Sequence, residues 1–226
     1  MSEPRRHDLY GPIHKGIRRA LSGLLLRLGS TDFADDRARV AVLADLRTQL
    51  RLSAGHLHHE EAHIHARLEA RSPGAAARLE HAHREHDEAF AELEAIMGEL
   101  ETAPAALKPA LGRSLYLRFS RFAADDFAHM ADEETVTLPL LWSLFSDEEV
   151  RQMEADIVGS IAPEDNIAYL RLMIPAMNPQ ERFAFLDFVR AAAPKKAFEA
   201  ILEHAARPTL DGEDWNALAM RLRLAA

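Results

Sequence analysis

The sequence predicts an all-α protein: an up-down-up-down four-helix bundle followed by a section of short helices. Ala, Leu, Arg and Glu recur at helical spacing along the 226 residues, and runs that favour strands are nearly absent. Four long helical segments occupy the first part of the chain and are joined by short turns, which makes neighbouring helices antiparallel. We therefore predict a bundle over residues 1–145 and a C-terminal helical extension over residues 146–226.

Turn residues set the limits of the four long helices. Gly, Ser and Pro cluster between them, and such residues end helices. Pro139 lacks the amide donor and is expected to bend the fourth helix. The predicted helices run from about Pro12 to Leu28, from after Asp32 to about Ala70, from about Ala75 to Leu100, and from about Ala106 to Phe145.

Five shorter helices are predicted after Ser146, at about 147–160, 165–175, 179–192, 195–206 and 213–223, and prolines separate most of them. This section is rich in apolar and aromatic side chains, which favours a small helical cap packed on the bundle. The alternative is a surface for a second copy of the chain or for a protein partner. The side chains concerned are Leu170, Ile174, Phe183, Phe185, Leu186, Phe188, Phe198, Ile201, Leu202, Trp215 and Leu218.

Composition excludes several classes of function. A net charge of −9 argues against nucleic acid as a partner. The absence of cysteine excludes disulfides, iron–sulfur clusters and thiolate zinc sites. No apolar stretch approaches the roughly 20 residues that cross a membrane, and the first residues carry no apolar leader. We expect a cytoplasmic protein that does not interact with membranes.

Histidine is distributed unevenly. Eight of the twelve histidines lie between His56 and His86, in a stretch that is also rich in Glu. Clustered imidazoles and carboxylates without cysteine favour a metal bound through nitrogen and oxygen, and iron, manganese and zinc all accept such ligands.

A His-x-x-x-Glu-Glu motif occurs in the second helix and again in the fourth. Residues four apart lie on one helix face, so His56 and Glu60 point the same way from successive turns, as do His129 and Glu133. In the fourth helix this face is expected to continue through Val136 and Leu140. The second Glu of each motif, Glu61 or Glu134, is expected on the flank.

The first and third helices each place a histidine on their apolar stripe. His14 precedes His56 by 42 residues and His86 precedes His129 by 43, which indicates an internal duplication. Two hairpins that face each other would bring six ligands together, and bundles build dinuclear metal sites in this way. Six ligands suit two metals that share carboxylates and keep positions open for a small ligand.

Three further residues on these faces are candidates for hydrogen bonding to a metal ligand, a common arrangement in metal sites. His63 follows Glu60, Asp126 precedes His129, and His83 shares the face of His86. His83 is also an alternate ligand. His58 and His65 are expected on the opposite, solvated face of the second helix.

With these residues the chain resembles the hemerythrin-like HHE cation-binding family, of the bacterial type with a C-terminal helical extension. The segments HLHHEEAHIHARL and HMADEETVTLPLLWSLFSDEE carry the resemblance, which covers about residues 8–150. It implies two iron ions bridged by an oxo group or by carboxylates, with manganese or zinc as alternatives. It also implies binding or sensing of dioxygen, nitric oxide or peroxide. The alternative is a di-iron enzyme or iron-handling protein that turns over peroxide or repairs iron centres.

At two positions this chain departs from the pattern of the family's oxygen carriers. Both departures favour the broader family over an oxygen-transport protein. Oxygen carriers have His-x-x-x-His on the third helix, where this chain has Ala82 four residues before His86. They also have His-x-x-x-x-Asp on the last helix, where this chain has His129-x-x-x-Glu133. A structural helical protein without a cofactor is the remaining hypothesis.

Overall fold

The computed structural model describes residues 6–224, and all regular secondary structure in that range is helical. None of the helices in this range combines the length and apolarity needed to cross a bilayer. The α-helices are α1 (Gly11–Ser30), α2 (Asp36–Glu60), α3 (Ala66–Arg71), α4 (Ala77–Thr102), α5 (Lys108–Asp132), α6 (Leu138–Leu144), α7 (Asp147–Ser160), α8 (Pro163–Met173), α9 (Pro179–Ala192), α10 (Lys195–Ile201) and α11 (Gly212–Leu222). The π-helical segments are π1 (Glu61–His65), π2 (Glu133–Thr137) and π3 (Leu202–Ala206).

The predicted all-α fold is confirmed, and local chemistry accounts for where the long helices begin and end. Asp35 caps α2, since its side chain accepts a hydrogen bond from the amide of Ala38 at 3.0 Å. Between α3 and α4 the chain turns at Gly74, whose φ of 86° is readily adopted only without a side chain. A short 3-10 turn, Ala105–Leu107, leads into α5.

The described chain divides into two compact units. The first comprises Ala20–Ser160 and the described residues up to Leu9, and the second comprises Tyr10–Arg19 with the residues from Ile161 onward. Helix α7 therefore groups with the first unit, whereas the sequence suggested a boundary between residues 145 and 146. The division of the chain into domains at residues 145 and 146 stays a prediction.

Both helices that carry the His-x-x-x-Glu-Glu motif widen into a π-helical turn at the same point of the motif. The amide of Ala66 donates to the carbonyl of Glu61, and that of Leu138 to the carbonyl of Glu133, five residues back in each case. A backbone hydrogen bond that spans five residues instead of four adds one residue to the turn. Each inward-facing position after it therefore moves one residue towards the C-terminus.

This shift corrects the predicted helix face after each Glu. The side chain of Val136 is 52% exposed, and Thr137 is buried where Val136 was expected. In the second helix the prediction that His65 is solvated is wrong, because His65 is only 2% exposed. Leu140 is half-buried, and Leu141 takes the buried position beside it.

The core of the first unit is made of Leu, Met and Phe side chains from the long helices. Phe122 of α5 packs edge-to-face against Phe90 of α4, with 5.3 Å between the ring centroids. The loop before α2 places Phe33 against Gly112 of α5 so closely that a Cβ there would lie 2.1 Å from the Phe33 ring. Fully buried members include Leu21, Leu46, Leu93, Met97, Leu115 and Phe119.

The second unit has a core of its own. Most of the predicted apolar set is buried or half-buried, but Phe188 is 68% exposed and was wrongly included. The guanidinium of Arg182 is buried in this unit. It donates to the carbonyls of Ile174 and Met177, both at 3.1 Å, and pairs with Asp214 at 3.0 Å.

Candidate metal centre

Four buried side chains of the first unit converge on one point between the long helices. They are Glu60 at the end of α2, His83 in α4, His129 at the end of α5 and Glu133 at the start of π2. Each offers one nitrogen or oxygen atom, and these four atoms lie within 4.8 Å of one another. Helices far apart in the sequence therefore supply two imidazoles and two carboxylates to a single site.

The distances between these atoms suit ligands of a common ion. His83 Nε2 lies 3.2 Å from His129 Nε2 and 3.7 Å from Glu60 Oε2. His129 Nε2 lies 3.4 Å from Glu133 Oε2. Ligands bound at about 2.1 Å from one metal are roughly 3–4 Å apart, depending on the bond angle. The four side chains therefore fit a metal with little rearrangement.

An exposed carboxylate fixes the tautomer of His83. His83 Nδ1 lies 3.0 Å from Oε1 of Glu61, whose side chain is half-exposed. Because a carboxylate only accepts, Nδ1 carries the hydrogen, and in the neutral ring Nε2 carries the lone pair. That lone pair is directed to the site. A carboxylate behind a histidine is the usual way in which proteins orient a histidine that binds a metal.

The electrostatics of the protein alone are unfavourable at this site. Burial raises the pKa of the Glu60 carboxyl well above its ordinary value, and the charges of Glu133 and Asp126 raise it further. Burial lowers the pKa of His83 to about 4, and His86 adds to this shift. Carboxyl groups that repel one another and neutral imidazoles favour a divalent cation, which offsets the carboxylate charges and accepts the imidazole lone pairs.

The donor types define the metals that fit. Two carboxylates and two imidazoles are hard or borderline ligands, which suit iron, manganese or zinc, and the chain has no thiol that would favour a softer ion. The His and Glu cluster thus fits a metal site, while its composition leaves the identity of the metal open.

His86 and Asp126 lie next to this group. The ring of His86 is 5.1 Å from that of His129, and its Nε2 is 3.7 Å from Oδ1 of Asp126. The sequence ranked His86 above His83 as a ligand, whereas the structure brings His83 into the four-residue group. Both histidines face inward because they are three residues apart on α4, so helix phase alone could not separate them.

The remaining predicted residues lie at different places. His56 is half-buried on α2, with Nε2 3.1 Å from Oε1 of Glu60, so it extends the site along that helix. The ring of His63 stacks at 6.4 Å on that of His59. His14 is fully buried and belongs to the second unit, where its ring stacks on Tyr10 at 5.1 Å. Its role as a ligand stays a prediction.

Sequence reasoning missed two residues beside the site. Glu61 was taken for a flank residue, yet it orients His83. His65 was placed in solvent, yet its ring lies 4.7 Å from that of His83. The repeated Glu-Glu was the available signal for Glu61. For His65 no signal existed, because its orientation depends on π1.

Two clefts of the first unit reach the surroundings of this site. One lies between α4 and α5, has a volume of about 490 Å³, and includes His86 and His129 in its lining. The other lies between the π1–α3 segment and α4, has a volume of about 540 Å³, and includes Glu61 and His65 in its lining.

The comparison with protein families agrees with the fold and the site. Residues 11–141 match the model of the hemerythrin HHE cation binding domain, and this match spans more than half of the chain. The chain belongs to this family, which confirms the resemblance inferred from the motifs. It is a metal-binding, hemerythrin-like protein with additional C-terminal helices. Among curated proteins, none matches the chain.

Proposed function

We propose that the protein holds two iron ions in its bundle and uses them to bind or sense a small ligand such as dioxygen, nitric oxide or peroxide. The convergence of Glu60, His83, His129 and Glu133 is the observation that carries this proposal. The two buried carboxylates and two buried imidazoles interact far more favourably with a cation than with one another. Manganese or zinc would occupy the same ligands.

A second ion needs ligands beyond these four. His56 lies against Glu60, and His86 lies beside His129, so each can extend the group at one side. His14 is retained as a ligand from the 42-residue spacing of the sequence motif. If Glu60 and Glu133 were shared between two ions, this set would leave coordination positions for an exogenous ligand.

The protein's own residues would position and shield that ligand. The cleft between α4 and α5 gives a small molecule a route to the His86 and His129 side of the site. The rings of Phe90 and Phe122 lie next to His86 and add apolar surface beside it. When bound, the metal pair supplies the redox and ligand-binding chemistry that the side chains lack.

The test begins with metal analysis of protein purified from iron-replete cells. We expect about two metals per chain, and we expect changes in the visible spectrum of the reduced protein on adding nitric oxide, dioxygen or peroxide. A persistent adduct supports binding or sensing, whereas steady consumption of peroxide would replace this proposal with an enzyme. Protein that binds no metal would exclude both.

Single variants identify the ligands on α4. His83→Ala should lose at least one metal per chain, because His83 contributes a lone pair to the four-residue group. His86→Ala should retain the ion of that group, and His58→Ala, which removes an exposed histidine of α2, should change nothing. Full metal content in His83→Ala together with metal loss in His86→Ala would restore the assignment made from the sequence.

A further inference from the structure

The cleft between the π1–α3 segment and α4 has the charge of a cation-binding surface. Its lining includes the carboxylates of Glu61, Glu69 and Glu80, with Arg84 as the cationic member. Carboxylates that outnumber cations in a concave surface raise the local concentration of positive ions. Glu69 also accepts hydrogen bonds from the backbone of the turn after α3, and Glu61 accepts one from His83 Nδ1 through Oε1.

His65 is the most buried of the side chains that line this cleft. Within the described part of the chain, neither of its ring nitrogens has a hydrogen-bond partner. A buried polar group without a hydrogen bond destabilises the folded chain, and an apolar side chain would avoid that cost. The other half of the duplication has an apolar residue at the equivalent position. His65 follows His56 by nine residues, and the buried Leu138 follows His129 by nine residues.

The position of His65 links the cleft to the metal centre. Its ring lies 4.7 Å from that of His83, and His83 is bonded through Nδ1 to Glu61, which lines the same cleft. An imidazole nitrogen and a carboxylate oxygen thus lie between the surface and the four buried ligands. They are the same donor types that the centre itself offers to iron, manganese or zinc.

We propose that His65 and Glu61 form a transient binding site through which a divalent metal ion passes from this cleft to the buried centre. The proposal rests on the metal binding proposed above. At this site the ion exchanges water ligands for an imidazole nitrogen of His65 and a carboxylate oxygen of Glu61. It then moves to the buried centre, because the centre offers more ligands. Two ligands hold an ion too weakly to retain it.

The test measures how fast metal-free protein takes up Co²⁺, followed by the visible absorption of the bound ion. His65→Leu, which introduces the residue found in the other half, should slow uptake at least tenfold and leave the final cobalt content unchanged. His81→Leu is the matched control, because His81 is an exposed histidine of α4 outside this cleft. It should load at the wild-type rate.

A second pair of variants avoids the buried position. Glu80→Lys reverses a charge in the proposed entry cleft, whereas Glu85→Lys reverses one in the cleft between α4 and α5. Both residues are exposed, so both variants should fold. We expect Glu80→Lys alone to slow uptake several-fold, and we expect salt to reduce the difference from wild type.

Each contrary result has a distinct meaning. Normal uptake in both His65→Leu and Glu80→Lys would overturn the transfer site, and slowing by Glu85→Lys alone would move the entrance to the other cleft. A lower final cobalt content in His65→Leu would make His65 a ligand of the centre, which also overturns the proposal. Failure of the wild type to bind cobalt would instead contradict the proposed function.

Discussion

At the scale of single residues, the candidate site depends on contacts that sequence spacing does not encode. His56, Glu60, His129 and Glu133 could be identified because residues four apart share a helix face. The choice between His83 and His86 could not be made in this way, since both face inward. It depends on which α4 ring the packed bundle places beside Glu60 and His129, and on the hydrogen bond that His83 donates to Glu61.

The buried histidines predict how the stability of the metal-free protein depends on pH. Burial, and then the charge of His83, lower the pKa of His65 from an ordinary 6.5 to about 4. Between these values the unfolded chain binds a proton that the folded chain does not, so folded-state stability falls as pH falls through this window. The carboxyl group of Glu60 has the opposite effect on stability. Its pKa is raised in the folded chain, so the folded chain keeps a proton that the unfolded chain releases, and folded-state stability falls as pH rises.

Comparison with a variant isolates the contribution of His65. The stability of metal-free His65→Leu relative to wild type should increase by about 3 kcal/mol when the pH is lowered from 7 to 4. Urea unfolding at a series of pH values measures this difference. His58→Leu, at an exposed position, should show no such trend, and a flat difference for His65→Leu would mean that the pKa of His65 is ordinary in the folded chain.

At the scale of helical elements, most of the fold follows from the sequence. The long helices begin and end at the predicted turns to within a few residues, because Gly, Ser and Pro interrupt helices for local reasons. The π-helical turns were not predicted, since nothing local distinguishes them from α-helix. They explain why Thr137 rather than Val136 is buried and why His65 faces His83.

Two helical glycines give opposite predictions for the same substitution. Gly112 of α5 faces the Phe33 ring, which an added Cβ would meet at 2.1 Å, whereas for Gly98 of α4 no atom of the described residues lies within 4 Å of such a Cβ. Gly112→Ala should destabilise the protein by about 1–3 kcal/mol because the core must shift. Gly98→Ala should stabilise it by about 0.5–1 kcal/mol through helix propensity.

Chemical unfolding of both variants measures these changes. The decisive observation is whether the two substitutions change the free energy of unfolding in opposite directions. An equal gain in both would show that Phe33 does not pack on α5 as the structure has it, and an equal loss would show that Gly98 is also closely packed.

At the scale of the whole molecule, the two compact units each contain a core of their own, and the four candidate metal ligands lie entirely in the first. The change in helix length after Ser146 suggested a distinct C-terminal section, whose boundary stays a prediction, and the apolar residues identified from the sequence include most of the second core. The sequence did not anticipate that Arg182 would be buried there. A charged side chain is buried only when specific partners satisfy it, and those partners are assembled by folding.

Arg182 therefore tests whether the second unit depends on this internal ion pair. Arg182→Met should destabilise the protein by about 2–4 kcal/mol, because the carbonyls of Ile174 and Met177 lose their donor and Asp214 loses its partner. Arg171→Met, on the exposed side of α8, should change stability by less than about 0.5 kcal/mol. Below the unfolding transition, both variants should keep the metal ion of the four-residue group, since Glu60, His83, His129 and Glu133 belong to the first unit. Calorimetry and metal analysis of the same samples provide both readouts. Metal loss in folded Arg182→Met would show that the second unit supports the metal centre, and that its role extends beyond a helical cap.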